Sequence, residues 1–162
     1  MATATVLHVG DDLCHRIPVM ELAGLTVLRT ECSVAALEDL FAEGKTFSGI
    51  AFHNEIATPL PPLVSTARTF SNAPLVLFQN SLLECDEYLF DLVIPVHTPP
   101  TAWLKSLEEA IREGRNLRAE SQQLREDCAN VRSISRELQR TSSRNRESPI
   151  DCDALWGNNP EK

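Results

Sequence analysis

The chain has 162 residues, 43% of them hydrophobic, and a formal net charge of −8. That length holds one domain of ordinary size plus an appendage, with enough apolar material for a packed core. No run of about 18 apolar residues offers a membrane span, and no charged-then-apolar leader stands at the start. The five cysteines (Cys14, Cys32, Cys85, Cys128 and Cys152) show no C-x-x-C spacing, which argues against a zinc or redox centre and fits a reducing, cytoplasmic setting.

The charge is unevenly spread. Up to Leu104 there are four basic and twelve acidic residues, and from Lys105 onward there are eleven of each. An acidic front poor in Lys and Arg is repelled by phosphate backbones, so nucleic acid is not an expected partner. The shift in composition marks a boundary. We expect a folded domain over residues 1–112, a helical extension over 113–146 and a disordered tail over 147–162.

Taken in order, Thr5 to Val9 is a first strand, β-branched and mostly apolar. It ends in Gly10-Asp11-Asp12, whose adjacent carboxylates suit either a cation or the N-cap of a following helix. That helix, Leu13 to about Ala23, carries Pro18 and must kink or start late. Leu25 to Thr30 is the second strand, and Ser33 caps a helix that Gly44 stops. Gly49 to Phe52 is a third strand, apolar on both faces and running into His53, Asn54 and Glu55. Such a strand belongs in the middle of a parallel sheet covered by helices on each side. The proline-rich stretch Thr58 to Pro62 breaks the chain before a helix over Leu63 to Phe70. Leu75 to Phe78 is the fourth strand, ending in Gln79, and about two helical turns fit between Ser81 and Tyr88. Leu92 to Val96 is the fifth strand, and a long helix starts near Thr101. Strand and helix alternate five times, which with right-handed crossovers predicts an α/β fold: a five-stranded parallel sheet with helices on both faces, followed by the long helix.

The order and spacing of several fragments resemble the receiver domain of bacterial response regulators over about residues 4 to 112. The fragments are Val-Leu-His-Val-Gly-Asp-Asp at 6–12, Ala-Leu-Glu-Asp-Leu at 36–40, Gly-Ile-Ala-Phe-His at 49–53, Ala-Pro-Leu-Val-Leu-Phe at 73–78 and Asp-Leu-Val-Ile-Pro at 91–95. The resemblance implies a flavodoxin-like, receiver-like fold. It also implies a pocket at the carboxyl edge of the sheet, where an acid pair holds Mg²⁺, an Asp accepts a phosphoryl group, and a Thr or Ser and a Lys assist. In this chain the acid pair falls on Gly10-Asp11 with Asp12 next along, the acceptor position on His53, the hydroxyl position on Gln79 and the Lys position on Val96. An imidazole cannot form an aspartyl phosphate, Mg²⁺ prefers oxygen ligands, and Val96 supplies no cation to offset phosphoryl charge. The expectation is a degenerate, or pseudo-, receiver that is not an enzyme and needs no cofactor. Its role would be signalling through protein contacts of the two-component kind.

A second reading uses the same pocket differently. Asp11, Asp12, His53, Glu55 and His97 should gather at the carboxyl edge, and Asp11, His53 and His97 are candidate ligands for a transition metal or anchors for a small ligand. The alternative is a residual polar pocket whose groups bond to one another and to water, and His53 beside carboxylates is also a candidate pH-sensitive element. His8 is expected to be a satisfied core histidine and His15 a surface helix residue. No Gly-rich phosphate loop and no Gly-x-Ser-x-Gly occurs.

From Trp103 to about Asn145 there is no proline, and Gly114 is the one glycine. Trp103, Leu104, Leu107 and Ile111 should cover the sheet. Beyond them Leu117, Leu124, Val131 and Leu138 recur every seven residues, with Gly114, Ser121, Cys128 and Ser135 three places before each. That is a heptad with one large and one small seam position, the pattern of a coiled coil. It predicts self-association or pairing with a foreign helix.

Overall fold

The computed structural model describes residues 4–12, 14–53, 59–79 and 87–147, with side chains as far as Ser143. It divides into two compact units, Met1–Ala119 and Glu120–Lys162. In the first unit, strands β1 (Thr5–Val9), β2 (Thr26–Thr30), β3 (Gly49–His53), β4 (Leu75–Phe78) and β5 (Leu92–Ile94) form one sheet in the order β2-β1-β3-β4-β5. Every pairing is parallel. Helices α1 (Arg16–Leu22), α2 (Val34–Ala42), α3 (Leu60–Phe70) and α4 (Pro100–Glu147) complete the described elements, with a single 3₁₀ turn at Glu87–Leu89. This is the α/β sheet expected from the alternation of elements.

Alternation of side chains along each strand builds two cores. Leu7, Val9, Phe52, Leu75 and Leu77 pack with Leu37 of α2 and with Leu63, Val64 and Ala67 of α3. Val6, Ala51, Val76, Phe78 and Ile94 pack with Ile17 and Met20 of α1 and with Trp103, Leu107 and Ile111 of α4. The three inner strands are buried on both faces, which is why they read as unbroken apolar runs.

Prolines adjust several helix ends. Helix α1 begins at Arg16, not near Leu13, so Pro18 lies in its first turn, where a missing N–H breaks no helical bond. His15 is therefore not a helical surface residue but the position before the helix, exposed and at φ +53°. Pro61 and Pro62 likewise sit in the first turn of α3, which starts at Leu60 and not at Leu63. The fifth strand stops at Ile94, because Pro95 cannot donate to the ladder, and Val96 and His97 form a turn. The helix expected over Ser81 to Tyr88 lies mostly outside the described residues. The same holds, from residue 148, for the tail expected at 147–162.

Within the first unit α4 stays against the sheet beyond Ile111. Arg115 donates to Ser48 Oγ at 3.2 Å and Arg118 to the Phe47 carbonyl at 3.3 Å. Gly114 abuts Pro74 so closely that an added Cβ would stand 2.9 Å from Pro74 Cδ. In the second unit every helical side chain from Glu120 to Ser143 is exposed.

Candidate functional site

The carboxyl edge of the sheet is organised by two buried imidazoles. His8 of β1 and His53 at the end of β3 project from the same sheet face as Val6, Ala51 and Phe78, and are 0% and 2% exposed. Their Nε2 atoms lie 2.6 Å apart, with ring centroids at 4.5 Å. On the far side of His53, Nδ1 lies 3.2 Å from Nη1 of Arg16.

Arg16 can only donate, so it fixes the proton order. His53 Nδ1 must accept, His53 Nε2 therefore carries the hydrogen, and His8 Nε2 accepts it. The His8 proton is then on Nδ1. That atom makes no hydrogen bond of good geometry, although the nearby Gly10 backbone favours its protonated form. Each imidazole is thus neutral, and a further proton on Nε2 of His8 would meet the N–H of His53 head on.

The electrostatics agree. Burial pushes the His8 pKa below the ordinary histidine value, opposed by attraction to Asp12 and by the Gly10 backbone, and reinforced by Arg29 and Arg16. Burial also draws the Arg16 guanidinium below its usual value, with Cys14 and Asp12 acting the other way. Arg16 stays cationic, since a guanidinium holds its charge in proteins.

Arg16 is held from several sides. Its guanidinium carbon lies 4.3 Å from the centre of the Phe78 ring, a cation–π contact. Its Nη2 reaches the Gln79 carbonyl at 3.4 Å. Phe78 in turn stacks on His53, with centroids at 5.6 Å and planes at 19°, and takes the edge of Trp103 at 5.3 Å. The Asp12 carboxylate accepts the backbone N–H groups of Arg16 at 2.7 Å and Ile17 at 3.0 Å, anchoring the start of α1. Of the two roles open to the acid pair, Asp12 serves as a helix anchor.

The remaining expected site residues have other attachments. Asp11 is mostly exposed and pairs with Arg29 at 3.4 Å. Gln79 donates from its side chain to Glu87 at 2.7 Å, and from its backbone to the Ile94 carbonyl at 3.0 Å. Val96 is half-buried in the turn after β5, and His97 is exposed there at φ +68°. Glu55 lies outside the described residues. Among the described residues no three His, Cys, Asp or Glu side chains converge as metal ligands. A shallow groove beside the cluster is lined by Gly10, Asp11, Arg29, Thr30, Glu31 and Cys32.

Sequence reasoning missed Arg16, and His8 is the core histidine expected, bonded through Nε2 to His53, though its Nδ1 has no partner of good geometry. The signal for Arg16 was available. It stands four places before Met20, so on a helix it shares the core-facing side of that residue.

No protein-family model matches the chain, and no curated protein matches it. Solved structures do. A CheY-like response regulator receiver domain from Methanospirillum hungatei JF-1 is 16% identical, with 71% of this chain and 98% of that one covered at a TM-score of 0.57. A structure described as adenylate cyclase from Rhodopirellula baltica is 12% identical, with 76% and 98% covered at 0.61. A yeast Spc42 trimeric coiled coil fused to another protein is 15% identical, with 88% and 99% covered at 0.57. The chain therefore has the receiver-like, flavodoxin-like fold. No described helix is long and apolar enough to cross a membrane.

Proposed function

We propose that the chain is a response-regulator-like signalling module that works through protein–protein contact, including self-association through α4, without accepting a phosphoryl group. The observation that carries this reading is the state of the acceptor position. His53 occupies it, is buried, and is bonded to His8 on one side and Arg16 on the other. A phosphoryl donor would have to displace a guanidinium from between α1 and the Phe78 ring to reach a group that cannot become an aspartyl phosphate. Support for the contact role comes from α4, whose Leu117, Leu124, Val131 and Leu138 are each 62–66% exposed. An apolar stripe of that length facing water is an interaction surface looking for a second helix.

The alternative of a metal or ligand sensor around Asp11, His53 and His97 is not favoured. Asp11 turns to Arg29, and Arg16 fills the space beside His53.

The test is intact mass spectrometry at neutral pH after incubation of the full chain with acetyl phosphate and Mg²⁺, with light scattering on the same samples. The expected result is no added phosphoryl group and a solution mass that ignores the donor. A covalently phosphorylated aspartate, or an assembly state that follows the donor, would overturn the reading.

A further inference from the structure

The exposed stripe on α4 carries a second pattern, in charge. With Leu124, Val131 and Leu138 at heptad position d, and Ser121, Cys128 and Ser135 at a, the flanking g positions are Glu120, Asp127, Ile134 and Thr141 and the flanking e positions are Arg125, Arg132 and Gln139, so the first two of each carry the charge. Each acid precedes an arginine by five residues. In a parallel, in-register pair of helices a g residue of one chain faces the e residue of the next heptad in the other. Glu120 of one copy then meets Arg125 of the other, and Asp127 meets Arg132, with both pairs repeated by the two-fold axis. Antiparallel pairing with each a residue facing a d residue would instead set Arg125 against Arg132 of the other copy, and Asp127 and Glu120 against Ile134 and Thr141. Among the described residues no ion pair within the chain takes up Glu120, Arg125 or Arg132.

We propose that residues 120–143 form a parallel, in-register, two-stranded coiled coil with the same segment of a second copy of this chain. This rests on the self-association read above and adds its partner, direction and register. A segment whose two flanks complement each other at one fixed spacing is matched to itself, which selects a second copy as occupant over a foreign helix. Packing volume alone would favour antiparallel helices, where each small a residue faces a large d residue. The charges decide otherwise, since that arrangement gives up four attractive contacts and sets Arg125 against Arg132 twice. In the parallel arrangement the small layers bring Cys128 opposite the Cys128 of the other copy. Cys128 is an exposed free thiol in the single chain.

Sedimentation equilibrium of the full chain tests this, with three variants. The wild type is expected to be a dimer. Arg125→Glu with Arg132→Glu is expected to weaken the dimer by about tenfold or more, with part of the loss recovered at high salt. Adding Glu120→Arg and Asp127→Arg to that variant restores opposite charges across the seam and is expected to return the affinity. The same swaps leave an antiparallel dimer unchanged, because they exchange one like-charge set for another. Diamide, which takes up the two hydrogens as a disulfide forms, is expected to cross-link the wild type but not Cys128→Ser. A dimer indifferent to the charge swaps overturns the parallel register while leaving self-association intact. A monomer overturns both, and a mass of three chains overturns the two-stranded pairing.

Discussion

At the scale of single residues, the site is a question of where one proton can go. His8 and His53 share one hydrogen between two Nε2 atoms 2.6 Å apart, and Arg16 blocks the outer nitrogen of His53. Neutral rings satisfy this geometry and a charged one breaks it. Because His8 has its pKa lowered by burial, the unfolded chain binds more protons than the folded one once the pH drops below the ordinary histidine value of about 6.5. The contribution of His8 to stability is fully present above that value and is lost as the pH falls through 6.5 toward the folded pKa. Asp12 opposes the effect, while Arg16 and Arg29 reinforce it. Thermal melts of the full chain should therefore show a midpoint that declines between pH 7.5 and 5.5. In His8→Asn that decline should be shallower, since the carboxylates remain and the buried imidazole is gone. An equal slope in both proteins would place the pH response elsewhere. The pairing itself was hidden in the sequence. His8 and His53 are 45 positions apart, and only the register of β1 beside β3, which sets His8 level with Ala51, brings their side chains together.

At the scale of elements, the sheet was legible and the helix ends were not. Five strand-like runs separated by helical stretches lead directly to a parallel sheet, and the three inner ones, buried on both faces, have no polar side to confuse the period. Prolines were harder, since Pro18, Pro61 and Pro62 break a helix interior but suit a first turn. Only the neighbouring bonds, such as Asp12 to the N–H groups of Arg16 and Ile17, decide which applies. Gly114 shows a similar reversal. By propensity it is a defect, and alanine there should stabilise α4 by about 1 kcal/mol. By packing it is a requirement, since a Cβ would meet Pro74 Cδ at 2.9 Å and Cγ at 3.3 Å. A proline ring has little room to retreat, and overpacking costs about 1–3 kcal/mol. The balance predicts that Gly114→Ala lowers stability by about 1 kcal/mol in urea unfolding. A gain would mean that the helix shifts away from Pro74 without loss.

At the scale of the whole molecule, the chain joins a unit that buries its apolar surface to one that exposes it. The sheet unit, Met1–Ala119, has its own two cores and uses α4 only as far as Arg118. Among the described residues, those from Glu120 to Ser143 contribute none of the buried side chains. The heptads were readable because a seven-residue repeat of Leu and Val needs no tertiary context. The carboxyl-edge site was harder to read, because nothing in the spacing of Asp11, His53 and His97 reveals that Arg16 packs against His53. This separation of cores has a consequence for unfolding. Replacing Leu124 and Leu138 by Glu puts charges into the seam of any assembly through that stripe while touching no buried contact of the sheet unit. Sedimentation should then show a monomer. The urea midpoint of the sheet unit, followed by the fluorescence of buried Trp103, should stay within about 0.5 kcal/mol of the wild type when both are measured below the concentration at which the wild type assembles. A large loss of stability in the monomeric variant would show instead that the sheet unit depends on the seam, and the two units would have to be treated as one cooperative structure.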